Sequence, residues 1–208
     1  MPLIREGDRW ELDSAGLEAA FAAGARAYLL CNPHNPTGRV FSAADLGRIA
    51  ALADRYDVLV VAGSATIQRL LGRLPESCQY GAGLFGVLAS LAAWSSGADW
   101  LDALLGQLDH ARAEFGRLLG ERLPGARYVP PEASYLAWVD CSALDLGPEP
   151  AAVFLDRGRV ALGRGLDFGA PGDGFVRVTI GTSSALLSAI VDRMAAAAGL
   201  AAPVEAAG

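Results

Sequence analysis

Between residues 27 and 62 the chain reads strand, loop, helix, strand with short links, and that pattern constrains its fold more than any other. Ala27-Tyr28-Leu29-Leu30-Cys31 is a short apolar strand, and Val58-Leu59-Val60-Val61-Ala62 is an uninterrupted apolar run of the kind buried on both faces. Between them, Ser42 with Asp45 three residues later predicts a capping box for an amphipathic helix carrying Leu46, Ile49 and Leu52. Two such strands joined through a helix form a βαβ unit, which favours a parallel sheet and a right-handed crossover. An earlier helix, capped by Asp13 or Ser14 and ended by Gly24, presents Leu17, Ala20 and Phe21 on one face.

Beyond Ala62 the character changes. Helices are expected over residues 66–74 and 80–94, and a long one over 100–123 begins behind Asp99. Its apolar stripe is Leu101, Leu104, Leu105, Leu108, Phe115, Leu118 and Leu119, and Pro124-Gly125 stops it. Strands follow at 134–140, 160–162 and 175–180, with a short helix at 153–157 and a last one from Ser183 or Ser184 to about 198. Residues 201–208 read as a frayed tail. The charge-free run 77–98 has its dense apolar part over 84–94, well short of the roughly 20 residues a spanning helix needs, so a buried helix is expected.

With 52% apolar and 19% charged residues the chain can bury a substantial core. A net charge of −6 argues against nucleic-acid binding, and no membrane association is expected. Cys31, Cys78 and Cys141 lie far apart, so neither a metal site nor a disulfide framework is indicated. The opening residues are charged and mixed rather than signal-like, and a cytoplasmic protein is expected. Seventeen arginines account for the whole Lys+Arg total of 17, so the sequence contains no lysine.

The stretch Asn32-Pro33-His34-Asn35-Pro36-Thr37-Gly38 lies at the carboxyl end of the first apolar strand, the edge at which ligands bind in α/β sheets. An Asn amide held there can donate to a ring oxygen or accept from a hydroxyl; the same residues also suit a plain structural turn. Asn35-Pro36-Thr37-Gly38, preceded by Asn32-Pro33-His34, resembles the signature loop of fold-type I pyridoxal-phosphate enzymes of the aminotransferase class I/II superfamily. The His-containing form followed by Arg39-Val40 is similar to the PatB/MalY-like cystathionine β-lyase (C–S lyase) branch. Trp100-Leu101-Asp102-Ala103-Leu104-Leu105, Pro131-Glu132-Ala133-Ser134-Tyr135-Leu136-Ala137-Trp138-Val139-Asp140, Val160-Ala161-Leu162, Phe168-Gly169 and Gly174-Phe175-Val176-Arg177-Val178 resemble the same branch, in family order.

The resemblance implies an α/β chain, a partial fold-type I transferase. Residues 1–62 would be a fragment of the large parallel-sheet domain, and 63–208 a helical connection with the C-terminal small α/β domain. It implies pyridoxal phosphate as the family cofactor, a small amino-acid substrate and a homodimer. Asn35 corresponds to the residue that hydrogen-bonds the cofactor's ring hydroxyl oxygen. Arg177 corresponds to the arginine that clamps the substrate carboxylate, a task suited to a planar bidentate donor. Along 175–180, Val176, Val178 and Ile180 share one face while Arg177 lies on the other with Phe175 and Thr179. A surface ion pair is the plainer reading of Arg177. His34 in its Pro-rich turn carries no assigned role.

Three family parts have no counterpart. The resemblance implies an N-terminal portion of the large domain, which has no counterpart before Met1. The strand at 58–62 runs into Gly63-Ser64-Ala65-Thr66 rather than into the Asp that pairs with the pyridine nitrogen. The block that carries the Schiff-base lysine is absent, which places an internal deletion at Ala62/Gly63. The expectation is a catalytically inactive remnant on which cofactor binding is doubtful. A partner subunit docking on a full-length homologue, or a chain complemented by another's lysine, are the alternatives.

Overall fold

The computed structural model describes residues 3–7, 9–61 and 84–200, and its contacts divide into two compact units. One holds residues 1–6, 10–32 and 41–105; the other holds 7–9, 33–40 and 106–208. The junction at Ala62/Gly63, the helix expected at 66–74, Cys78 and the tail 201–208 lie outside the described residues.

In the first unit, β1 (Leu3–Glu6) and β2 (Arg9–Leu12) form a two-stranded sheet that the mixed opening sequence does not announce. Helix α1 (Ser14–Ala22) starts on Asp13, whose carboxylate accepts the Gly16 N–H at 2.8 Å. Strands β3 (Ala27–Leu29) and β4 (Leu59–Val61) pair in parallel, Tyr28 opposite Val60. The crossover helix α2 (Ala43–Arg55) begins with the expected capping box of Ser42 and Asp45. Leu17, Phe21, Tyr28, Phe41, Ile49 and Val58 close a small core over this βαβ unit. The strands are not buried on both faces: Leu29 is 74% and Leu59 43% exposed. Each has a single neighbouring strand among the described residues, so nothing there covers the outer face.

Helix α3 (Leu84–Ser96) corrects a second expectation. It is apolar and charge-free, yet none of its residues is buried, and Phe85 and Trp94 are 85% and 90% exposed. Low charge marks a helix that favours burial, but burial needs a partner surface. Helix α4 (Ala98–Arg122) is continuous, but its predicted stripe is buried only in its second part, through Ala111, Phe115, Leu118 and Leu119. Leu101 and Leu105, in the first part, are exposed.

The second unit is an antiparallel sheet of β5 (Arg127–Tyr128), β6 (Leu136–Asp140), β7 (Gly163–Arg164) and β8 (Phe175–Thr179), in the order β5-β6-β8-β7. Helices α5 (Pro150–Gly158) and α6 (Ser184–Ala197) complete it, with Ser183 capping α6. Val176, Val178 and Ile180 are buried with Phe115, Phe154, Leu187 and Met194, as the alternation along β8 requires. Each such side chain contributes roughly 1.5–3 kcal/mol when fully buried. Two strands differ from expectation. Strand β6 starts at Leu136, because Ser134 sits in the left-handed region at φ +76° and breaks the extended run. The strand expected at 160–162 forms at Gly163–Arg164 instead, where Gly163 faces Arg177.

Candidate functional site

The loop that carries Asn35 is closed by its own backbone. The His34 N–H donates to the Arg39 carbonyl at 2.8 Å, and the Gly38 N–H donates to the His34 carbonyl at 2.7 Å. His34 is half-buried, with Nδ1 3.0 Å from Thr37 Oγ1. Burial pushes its pKa down to about 4, so the ring is neutral at pH 7. It is therefore a structural member of the turn rather than a solvated bystander. Gly38 holds φ +69°, and a Cβ there would lie 2.2 Å from the Pro131 Cβ and 2.8 Å from the Ala133 carbonyl. Only glycine fits.

Arg177 projects from β8 on the face opposite the core, with Trp138 of β6 as its cross-strand partner. Its guanidinium lies 4.9 Å from the centre of the Phe168 ring, a cation–π contact. Phe168 meets Trp138 edge-on at 5.4 Å, and Trp138 stacks on Phe175 at 5.1 Å, so the ring beneath the arginine is part of an aromatic cluster. On the β7 side a Cβ on Gly163 would come within 3.1 Å of the Arg177 Cβ and 3.3 Å of its Nε. The missing side chain leaves the arginine room to lie flat against the sheet.

The structure brings the two sequence-nominated residues together. Arg177 Nη1 donates to Asn35 Oδ1 at 3.1 Å across 142 residues of chain. Among the described residues Arg177 forms no ion pair. Asn35 uses its oxygen and keeps its amide N–H groups, while the rest of the guanidinium fork remains a cationic donor set. A carboxylate fits such an array through charge-assisted, bidentate hydrogen bonds.

Sequence reasoning overlooked the support. Arg39 Nη1 donates to Glu132 Oε1 at 3.1 Å, and the Val40 N–H donates to Glu132 Oε2 at 2.9 Å. The Ala133 N–H donates to the Gly38 carbonyl at 3.2 Å. Glu132 stands inside the family-like stretch 131–140, but a lone exposed carboxylate offers no signal of its own.

Residues 2–65 match the model of the aminotransferase class I and II family. A candidate cystathionine β-lyase of Mycobacterium tuberculosis is 35% identical over 263 residues, covering 92% of this chain and 64% of the relative. This chain belongs to the aminotransferase class I and II family. Cystathionine β-lyase PatB of Bacillus subtilis is 28% identical over 94% of the chain and 64% of its own length. A candidate pyridoxal-phosphate-dependent β-cystathionase from Corynebacterium diphtheriae has the same fold, with a TM-score of 0.82 at 26% identity, over 91% of this chain and 63% of that one. The family member described here thus spans about 64% of the length of the curated relatives it matches. The 263 aligned residues exceed its 208 by 55, so the mycobacterial relative carries at least that many with no counterpart here.

Pyridoxal phosphate is the cofactor of family members. Asn35 can meet a ring oxygen and Arg177 a carboxylate, but a covalent link needs a lysine amine and the sequence has none. The residues do not fit covalent attachment.

Proposed function

We propose that this chain is a cystathionine β-lyase-like family member that keeps a carboxylate anchor, Asn35 with Arg177, and has no C–S lyase activity of its own. The absence of lysine is the observation that carries the reading. In this family the cofactor supplies the electron sink for the bonds at the substrate's α-carbon, and a lysine holds it and moves the proton. Arginine does not substitute, because its guanidinium stays protonated. One neutral hydrogen bond from Asn35 nets roughly 1 kcal/mol, too little to hold a soluble cofactor. Arg177, which forms no ion pair among the described residues, supports retained affinity for a carboxylate, the common feature of amino-acid substrates. The 263-residue alignment to the relative, longer than this chain's 208 residues, supports loss of a block rather than of one side chain, and we place that loss at Ala62/Gly63.

A second reading, docking on a lysine-bearing homologue in the cytoplasm, is favoured by α3. A charge-free helix with Phe85 and Trp94 85% and 90% exposed is a patch that association would cover. One experiment addresses both readings. The purified chain, with pyridoxal phosphate and an S-substituted cysteine, is assayed for thiol release alone and after co-expression with a full-length relative. The reading predicts release at the free-cofactor rate for the chain alone. Release well above that rate by the chain alone contradicts it, and co-purification with the relative establishes docking.

A further inference from the structure

We propose that Glu132 is a positioning residue for the Asn35–Arg177 pair. The pair joins a loop to a strand 142 residues later, and neither residue reaches the other unless something fixes the loop against the sheet. Glu132 sits where that attachment is made. It lies four residues before β6, the strand whose Trp138 faces Arg177. Its two carboxylate oxygens divide between two donors of the loop: Oε1 accepts from Arg39 Nη1 at 3.1 Å and Oε2 from the Val40 N–H at 2.9 Å. Both donors lie just beyond Gly38, within five residues of Asn35.

The attachment is cooperative. The neighbouring Ala133 N–H donates to the Gly38 carbonyl, and Gly38 packs on Pro131, so residues 131–133 contact three successive residues of the loop. Arg39 is held in turn, since its side chain is only 14% exposed while that of Glu132 is 49% exposed. A half-exposed ion pair alone contributes little. A carboxylate that also accepts a backbone N–H fixes geometry, because the main chain has no rotamers to lose. A shift of the loop away from residues 131–133 strains both bonds to Glu132. Glu132 touches neither Asn35 nor Arg177; it acts on their separation. Its consequence for ligand binding rests on the carboxylate-anchor reading given above, whereas the geometric role does not.

The test uses the full chain labelled with 15N. The side-chain signals of Arg177 Nε–Hε and Asn35 Nδ2 report the pair, and the Trp138, Val176 and Val178 amides report the sheet. An acetate titration reports the anchor. Glu132→Ala is expected to shift both side-chain signals, leave the sheet amides in place and weaken acetate binding about tenfold. Glu132→Gln, which keeps one acceptor oxygen, is expected to restore part of each effect. Arg177 and Asn35 signals unchanged in Glu132→Ala would overturn the role. Should the alanine variant lose the sheet pattern, the same comparison on Glu132→Gln decides it. Signals that shift in a chain whose wild type binds no acetate would leave the positioning role standing and remove the carboxylate reading.

Discussion

Gly38 is the residue on which the loop turns. At φ +69°, with a Cβ position 2.2 Å from a proline carbon and 2.8 Å from a carbonyl oxygen, alanine adds both backbone strain and a clash that main chain cannot relieve. Gly38→Ala is expected to cost about 1–3 kcal/mol locally. Hydrogen exchange at the Ala133 N–H, which donates to the Gly38 carbonyl, reads that cost directly. Unchanged protection there would show that the loop tolerates a side chain. Much of this site was legible from sequence. The Pro-rich turn after an apolar strand pointed to Asn35, and alternation along 175–180 put Arg177 on the face away from the core. Glu132, Phe168 and the role of His34 were not legible. Glu132 meets Arg39 and Val40 across more than 90 positions of chain, Phe168 meets Trp138 and Arg177 from separate elements, and the role of His34 depends on its burial, none of which follows from local pattern.

At the scale of elements, caps and turns carried the sequence reading and burial defeated it. Asp13, Ser42 with Asp45, and Ser183 begin helices as their side-chain chemistry predicts, because those bonds are made within three residues. Apolar runs say that a segment gains by burial, not that a partner exists. Helix α3, strand β3 at Leu29 and the first part of α4 read as core and are exposed among the described residues. Strand β6 shows the reverse kind of miss, since a left-handed serine ends the alternation where side-chain pattern alone would continue it.

The molecule as a whole is uneven in its cores. The C-terminal unit buries Phe115, Phe154, Leu118, Leu187, Val191 and Met194 completely. The βαβ unit closes a smaller core, and its two-stranded sheet leaves apolar surface at Leu29 and Leu59 in solvent. Opening free energies should follow that difference. Amides of Val139, Val176 and Val178 are expected to exchange on the order of 100-fold more slowly than those of Tyr28 and Val60. Equal, strong protection in both units would contradict the picture of a stable C-terminal unit and a weaker remnant of the parallel sheet. Asn35 and Arg177 lie within one of the two units.

The central claim is that this lysine-free chain holds no covalent cofactor. Incubation with pyridoxal phosphate, borohydride reduction and mass analysis of the peptides test it. The account predicts no reduced adduct on any side chain, the amine of Met1 being the sole residue able to react. A stoichiometric adduct on any other residue of this chain would contradict it.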